Sequence, residues 1–140
     1  MRILIVSQYF WPENFRVNDL AEGLMERGHE VTVLTGVPNY PEGAIFPEYC
    51  ADPELFANFK GAEVVRVPTL PRARGKLRLA LNYLAFAAGG MAAGPARLKG
   101  KQFDAIFVFQ TSPITAALPA LRIARQQGAP VFLWVLDVWP

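Results

Sequence analysis

The sequence predicts an α/β domain built as a doubly wound parallel sheet, and three observations carry that prediction. Short runs rich in β-branched residues alternate with stretches of helical periodicity. The first run, Ile3-Leu4-Ile5-Val6, is apolar without alternation, as a strand covered on both faces must be. Most links between runs are short, which favours helices packed on both faces of one sheet.

Arg2 to Ser7 is the first strand, and a loop containing Pro12 follows from Gln8 to Asn14. From Phe15 to Arg27 the apolar residues Val17, Leu20, Ala21, Leu24 and Met25 recur at helical spacing, and Gly28 supplies the stop. Val31 to Leu34 and Ala62 to Val67 read as the second and third strands. Lys76 to Leu98 reads as a helix that Gly89-Gly90 and Gly94-Pro95 should break or bend. A fourth strand from Asp104 to Phe109, a helix from Thr115 to Gln127 ended by Gly128, and a fifth strand from Pro130 to Leu136 complete the series. One connection is unusual. Between Gly36 and Gly61 lie Pro38, Pro41, Pro47 and Pro53 with Tyr40 and Tyr49 interleaved, which predicts an ordered loop over the sheet edge or the cleft.

With 140 residues, 52% of them hydrophobic and 19% charged, the chain makes one domain and is neither disordered nor an acidic tail. The apolar run into Trp139-Pro140 is expected to belong to a larger protein. Charge is divided unevenly. Residues 1–65 hold four basic and ten acidic side chains, and residues 66–140 hold ten and two. No acid occurs between Arg66 and Lys101, so this half suits a negatively charged partner or a solvated basic face. The single cysteine, Cys50, rules out a disulfide framework, and the short apolar run after Met1-Arg2 is no signal peptide, so a cytoplasmic protein is expected.

In a doubly wound sheet, ligands bind beyond the carboxyl ends of the strands where strand order reverses. For the common order 3-2-1-4-5, that point lies between strands one and four, facing the loops from Ser7 to Arg16 and from Gln110 to Thr115. The helix starting near Asn14 to Arg16 directs free N–H groups at an anion there. Thr111 and Ser112 precede the later helix in the same way, as ligand contacts or as simple caps. Glu13 is the one carboxylate of the first loop, either a base or a favourable charge at a helix start. Asp137, at the end of the fifth strand, is a site carboxylate or the cap of a following helix.

Several chemistries are missing. Ser7-Gln8-Tyr9-Phe10-Trp11-Pro12 stands where a dinucleotide fold has G-x-G-x-x-G, and no phosphate loop occurs. His29 is the sole histidine, which excludes His-pair zinc sites and a Ser-His-Asp triad within these residues. No metal and no cofactor are expected.

The blocks Ile3-Leu4-Ile5-Val6, Pro12, Leu20-Ala21, Leu24 and Arg27-Gly28-His29-Glu30-Val31-Thr32-Val33-Leu34-Thr35 resemble the opening of family 4 glycosyltransferases, which have the GT-B fold. Tyr9-Phe10-Trp11-Pro12-Glu13, Pro38-Asn39-Tyr40-Pro41-Glu42-Gly43, Asn82-Tyr83-Leu84-Ala85-Phe86, Thr111-Ser112-Pro113 and Asp137-Val138-Trp139-Pro140 are similar to one branch of that family. That branch makes bacterial surface polysaccharides and is described as fucosaminyl- or N-acetylhexosaminyl-transferase-like. The resemblance implies a retaining transferase with two Rossmann-like domains, of which this chain is the acceptor-side half; the donor-binding half would lie beyond Pro140. It implies a nucleotide-sugar donor, a glycan or polyprenyl-diphosphate-linked acceptor, and no nucleic acid. Of the catalytic positions, only Asp137 carries over from the family; Glu13 is the other candidate catalytic carboxylate, and Asn14, Arg16, Asn39, Tyr40, Thr111 and Ser112 are the candidate donor or acceptor contacts. Where many members carry Gly-Gly, this chain has Glu13-Asn14-Phe15-Arg16, so Arg16 is expected to supply the charge. Where many have His-Asp, it has Leu136-Asp137, leaving the aspartate alone. The alternative is a non-catalytic α/β ligand- or partner-binding domain.

Leu79 to Ala96 is an uncharged stretch flanked by Arg72, Arg74, Lys76 and Arg78 on one side and Arg97, Lys99 and Lys101 on the other. Its length approaches that of a membrane span, but Asn82, three glycines and Pro95 argue for a helix packed on the sheet. Arg72, Arg74, Lys76 and Arg78 are then expected to meet an anionic membrane surface, which makes the protein peripheral to the inner face of the cell membrane.

Overall fold

Successive residues of a strand point to opposite faces, and in β1 (Arg2–Ser7) both sets are buried. Leu4 and Val6 join Leu34, Phe86, Ile106 and Ile123 in one core cluster, while Ile3 and Ile5 join Val17, Val33, Phe59 and Val64 in the other. The continuous apolar run thus marks the centre of a sheet with helices on both sides. The computed structural model describes residues 1–72, 75–111 and 113–136.

The chain continues through α1 (Arg16–Glu26), β2 (Glu30–Thr35), α2 (Pro47–Ala51), a 3-10 turn (Pro53–Phe56), β3 (Asn58–Phe59) and β4 (Ala62–Arg66). Then come α3 (Lys76–Arg97), β5 (Ala105–Gln110), a second 3-10 turn (Ile114–Ala116), α4 (Ala117–Gln127) and β6 (Val131–Val135). The sheet order is β3-β4-β2-β1-β5-β6, parallel except for the β3–β4 pair. Without the short β3, this is the expected 3-2-1-4-5 order, with β1 and β5 adjacent. At the end of α1, Gly28 takes φ 79° and donates its N–H to Met25 O, while His29 donates to Leu24 O, closing a Schellman cap.

Two expectations are corrected. The glycines do not break α3, which runs unbroken from Lys76 to Arg97. A Cβ at Gly89 would lie 2.0 Å from Pro68 O, one at Gly90 2.5 Å from Pro119 Cγ, and one at Gly94 3.3 Å from Leu34 Cδ2. These residues are small because the helix presses on its neighbours. Pro95 lacks an N–H only in the final turns, where Leu98 still donates to Gly94 O. The later helix is likewise preceded by a 3-10 turn whose N-cap, Pro113, makes no side-chain capping bond, and neither does Ala116 at the start of α4. Thr111 therefore caps neither.

The long connection after β2 is ordered, as expected, and contains α2, a 3-10 turn and β3. Trp11 packs against Phe56 and Phe59, with ring centroids 5.3 and 5.7 Å away, so the connection is fastened to the loop after β1.

Candidate functional site

Three chain segments leave the carboxyl ends of β1, β2 and β4 on the same side of the sheet, and buried polar groups join them. Glu13 is only 3% exposed. Its Oε1 accepts the main-chain N–H groups of Asn39 at 2.8 Å and Tyr40 at 2.7 Å, and its Oε2 accepts that of Phe10 at 3.2 Å. Burial pushes the Glu13 carboxyl above its ordinary pKa, against the pull of those three N–H donors and of Arg66. Asn18, from the first turn of α1, accepts the Trp11 N–H and donates to Glu13 O, which fixes the loop bearing the carboxylate.

Asn39 carries the connection onward. Its Nδ2 donates to Val37 O and its Oδ1 accepts the Arg72 N–H, both at 2.7 Å. The Arg72 guanidinium lies 5.2 Å from the Tyr40 ring centroid. Tyr40, Phe15 and Tyr9 form an aromatic cluster: Tyr9 stacks on Phe15 at 5.4 Å, and Tyr40 is tilted against both.

Beneath this cluster, Asn82 of α3 is buried. Its Oδ1 accepts Gln8 Nε2 at 2.7 Å and the Tyr9 hydroxyl at 3.0 Å, and its Nδ2 donates to Leu70 O at 2.6 Å. Burial pushes the Tyr9 phenol up to about 12, although Arg72 pulls it down. Arg66, at the end of β4, donates to Gly36 O and Trp11 O and lies under the Tyr49 ring at 5.3 Å. Its guanidinium is lowered to about 10, chiefly by burial.

Glu13, Asn39, Tyr40 and Arg72 are thus brought into one constellation, Arg72 through contacts within the loops. Asn14 and Arg16 are exposed at the start of α1, whose N-cap, Phe15, offers no capping side chain; of the first-turn N–H groups, that of Asn18 goes to Phe15 O. Thr111 is half-buried just beyond β5. Lys76 and Arg78 are exposed on α3. Arg74, Ser112 and Asp137 lie outside the described residues. Sequence reasoning missed Gln8, Tyr9, Asn18, Arg66 and Asn82 as members of the constellation. Asn82 did leave a signal: it is the one amide in the uncharged stretch from Leu79 to Ala96.

Chemically, the arrangement is an ordered wall of aromatic faces, the Arg72 guanidinium beside Tyr40, the more deeply held Arg66 and a helix N-terminus at the strand ends. It suits a polyhydroxylated ligand carrying negative charge. Among the described residues no group of His, Cys, Asp and Glu could hold a metal ion.

The model of the glycosyl transferase 4-like domain matches residues 14–140. The chain belongs to that family. A comparison with curated protein sequences gives no match. Among solved structures, the glycotransferase of kitacinnamycin superposes with a TM-score of 0.62 at 22% identity, covering 94% of this chain and 30% of that one. The calicheamicin glycosyltransferase CalG4 gives 0.58 at 15% identity, covering 94% and 31%. The C-terminal domain of a hydrogenase from Pyrococcus furiosus gives 0.62 at 18% identity, covering 96% and 90%. At these identities the structures share a fold. The glycosyl transferase 4-like domain has the Rossmann-like sheet of GT-B enzymes and spans about three tenths of the two glycosyltransferases it matches. The family is one of transferases and does not favour the non-catalytic alternative.

Proposed function

We propose that residues 1–140 are the acceptor-side domain of a retaining glycosyltransferase that moves a sugar from a nucleotide-sugar to a lipid-linked glycan in cell-surface polysaccharide synthesis. The branch is the fucosaminyl- or N-acetylhexosaminyl-transferase-like one, and a donor-binding domain follows in the full-length protein. The observation carrying this reading is the joining of Glu13 to Asn39 and Tyr40, which fixes a wall at the strand ends beside the uncapped start of α1. Arg16 and the first-turn N–H groups of α1 other than that of Asn18 bind diphosphate oxygens, so developing charge on the leaving group meets fixed positive ends. Asn14, Asn39, Tyr40, Thr111 and Ser112 contact sugar hydroxyls, and Asp137 orients one of them. Glu13 holds the wall in place through its three N–H donors. The enzyme works in the cytoplasm at the inner face of the membrane.

Binding of a short-chain polyprenyl diphosphate saccharide to the full-length protein, followed by tyrosine fluorescence and calorimetry, tests this reading. Binding that Tyr40→Ala weakens supports it. Binding indifferent to Tyr40 and Arg16 contradicts it.

A further inference from the structure

Helix α3 turns two faces in opposite directions. One carries Asn82, Phe86, Ala87, Gly90 and Gly94, all buried. The other presents Leu77, Leu81 and Leu84 to solvent, with exposures of 75%, 44% and 55%. Leucines at i, i+4 and i+7 form one stripe on a helix. At about 100° per residue, Lys76 and Arg78 stand roughly 100° to either side of Leu77, so the cations straddle the stripe. Both are exposed, and none of the ion pairs among the described residues involves either of them. No carboxylate occurs between Glu63 and Asp104. An uncovered leucine stripe between unpaired cations costs free energy in water and matches an anionic interface, where apolar side chains enter the acyl boundary and cations meet headgroups. No described helix is long and apolar enough to cross a membrane, so the helix would lie in the plane of the surface.

We infer that the first three turns of α3 are a membrane-docking surface, in which Leu77, Leu81 and Leu84 insert into an anionic leaflet while Lys76 and Arg78 hold its headgroups. This deepens the reading of a lipid-linked acceptor. Arg72, beside Tyr40 and Asn39, precedes the first residue of this helix by four positions, so docking brings the strand-end wall to the bilayer.

The test uses the full-length protein with Cys50→Ser, which removes the exposed thiol, and Leu81→Cys labelled with an environment-sensitive fluorophore. On vesicles of phosphatidylcholine with phosphatidylglycerol, the emission should shift to the blue and be quenched by chain-brominated lipid. On phosphatidylcholine alone it should not. Lys76→Ser with Arg78→Ser should weaken binding about 30-fold, and Leu77→Ser with Leu84→Ser about tenfold or more, both with unchanged circular dichroism. Binding without a shift, or unaffected by the leucine changes, would mean surface electrostatics alone and overturn the inference; so would no binding to either vesicle. The readout needs no sugar transfer. Docking without transfer would count against the transferase reading and leave this surface standing.

Discussion

Glu13 accepts the main-chain N–H of Tyr40 at 2.7 Å across 27 positions of sequence. With Asn39 on the same oxygen and Phe10 on the other, one carboxylate fastens the loop after β2 to the loop after β1. Glu13→Ala strands two buried donors and one part-buried one, the buried ones costing about 1–3 kcal/mol each, and should lower stability by about 3 kcal/mol or more. Glu13→Gln keeps an oxygen for Asn39 and Tyr40 but turns an amide toward Phe10, for a loss of about 1–2 kcal/mol. If anchoring is its role, the Gln variant keeps kcat within a few-fold and raises the acceptor KM. A loss of kcat beyond a hundredfold in a folded Gln variant would instead mean a base. Urea denaturation with steady-state kinetics separates the two.

The buried amide of Asn82 holds Gln8, Tyr9 and the Leu70 carbonyl together, so Asn82→Leu should cost about 2–4 kcal/mol. The Tyr9 phenol adds a pH signature. Its pKa is raised in the fold, from 10.0 to about 12, so its contribution is fully present below pH 10 and lost as pH climbs toward 12. Chemical denaturation should show stability falling over that window, with a shallower fall in Tyr9→Phe. In the ultraviolet tyrosinate titration, one of the four tyrosines should ionise last and vanish in Tyr9→Phe.

Gly89→Ala sets two effects against each other. Helix propensity favours alanine by about 1 kcal/mol. The new Cβ, however, would lie 2.0 Å from the Pro68 carbonyl, and forcing backbone apart costs about 1–3 kcal/mol or more. A net loss is expected by thermal denaturation. A stabilised variant would show that α3 does not sit this closely on the segment after β4.

That glycine also shows where sequence reading stops. The apolar run of β1, the Gly28 stop and the alternation of elements are local signals, and each maps onto the structure within a residue or two. Gly89 and Gly90 give the same local signal as a helix break, because what they accommodate, Pro68 and Pro119, is distant in sequence. The two-residue β3 exists only through pairing with β4 and has no pattern of its own. Within the constellation, Glu13, Asn39 and Tyr40 stood out in the sequence, but their mutual contact did not. Gln8, Tyr9 and Asn82 are joined across more than seventy positions and read singly as a loop residue, an aromatic and an interruption in an apolar helix.

Arg16 is exposed at the uncapped end of α1 and has no ion-pair partner among the described residues. Arg16→Ala should therefore leave stability unchanged. If the side chain binds a diphosphate, kcat/KM should fall by the worth of one charge-assisted hydrogen bond, about 1.5–3 kcal/mol, or roughly 10- to 150-fold. An unchanged kcat/KM would leave Arg16 as a helix-surface charge.

The most direct test of the transferase reading is the reaction itself. Full-length protein is incubated with bacterial membranes and a panel of radiolabelled UDP- and GDP-sugars, and label is counted in the lipid-extractable fraction. The account predicts transfer from at least one donor, with the anomeric configuration of the sugar retained in the product. No transfer from any donor by a folded, membrane-associated protein, or a product of inverted configuration, would contradict it.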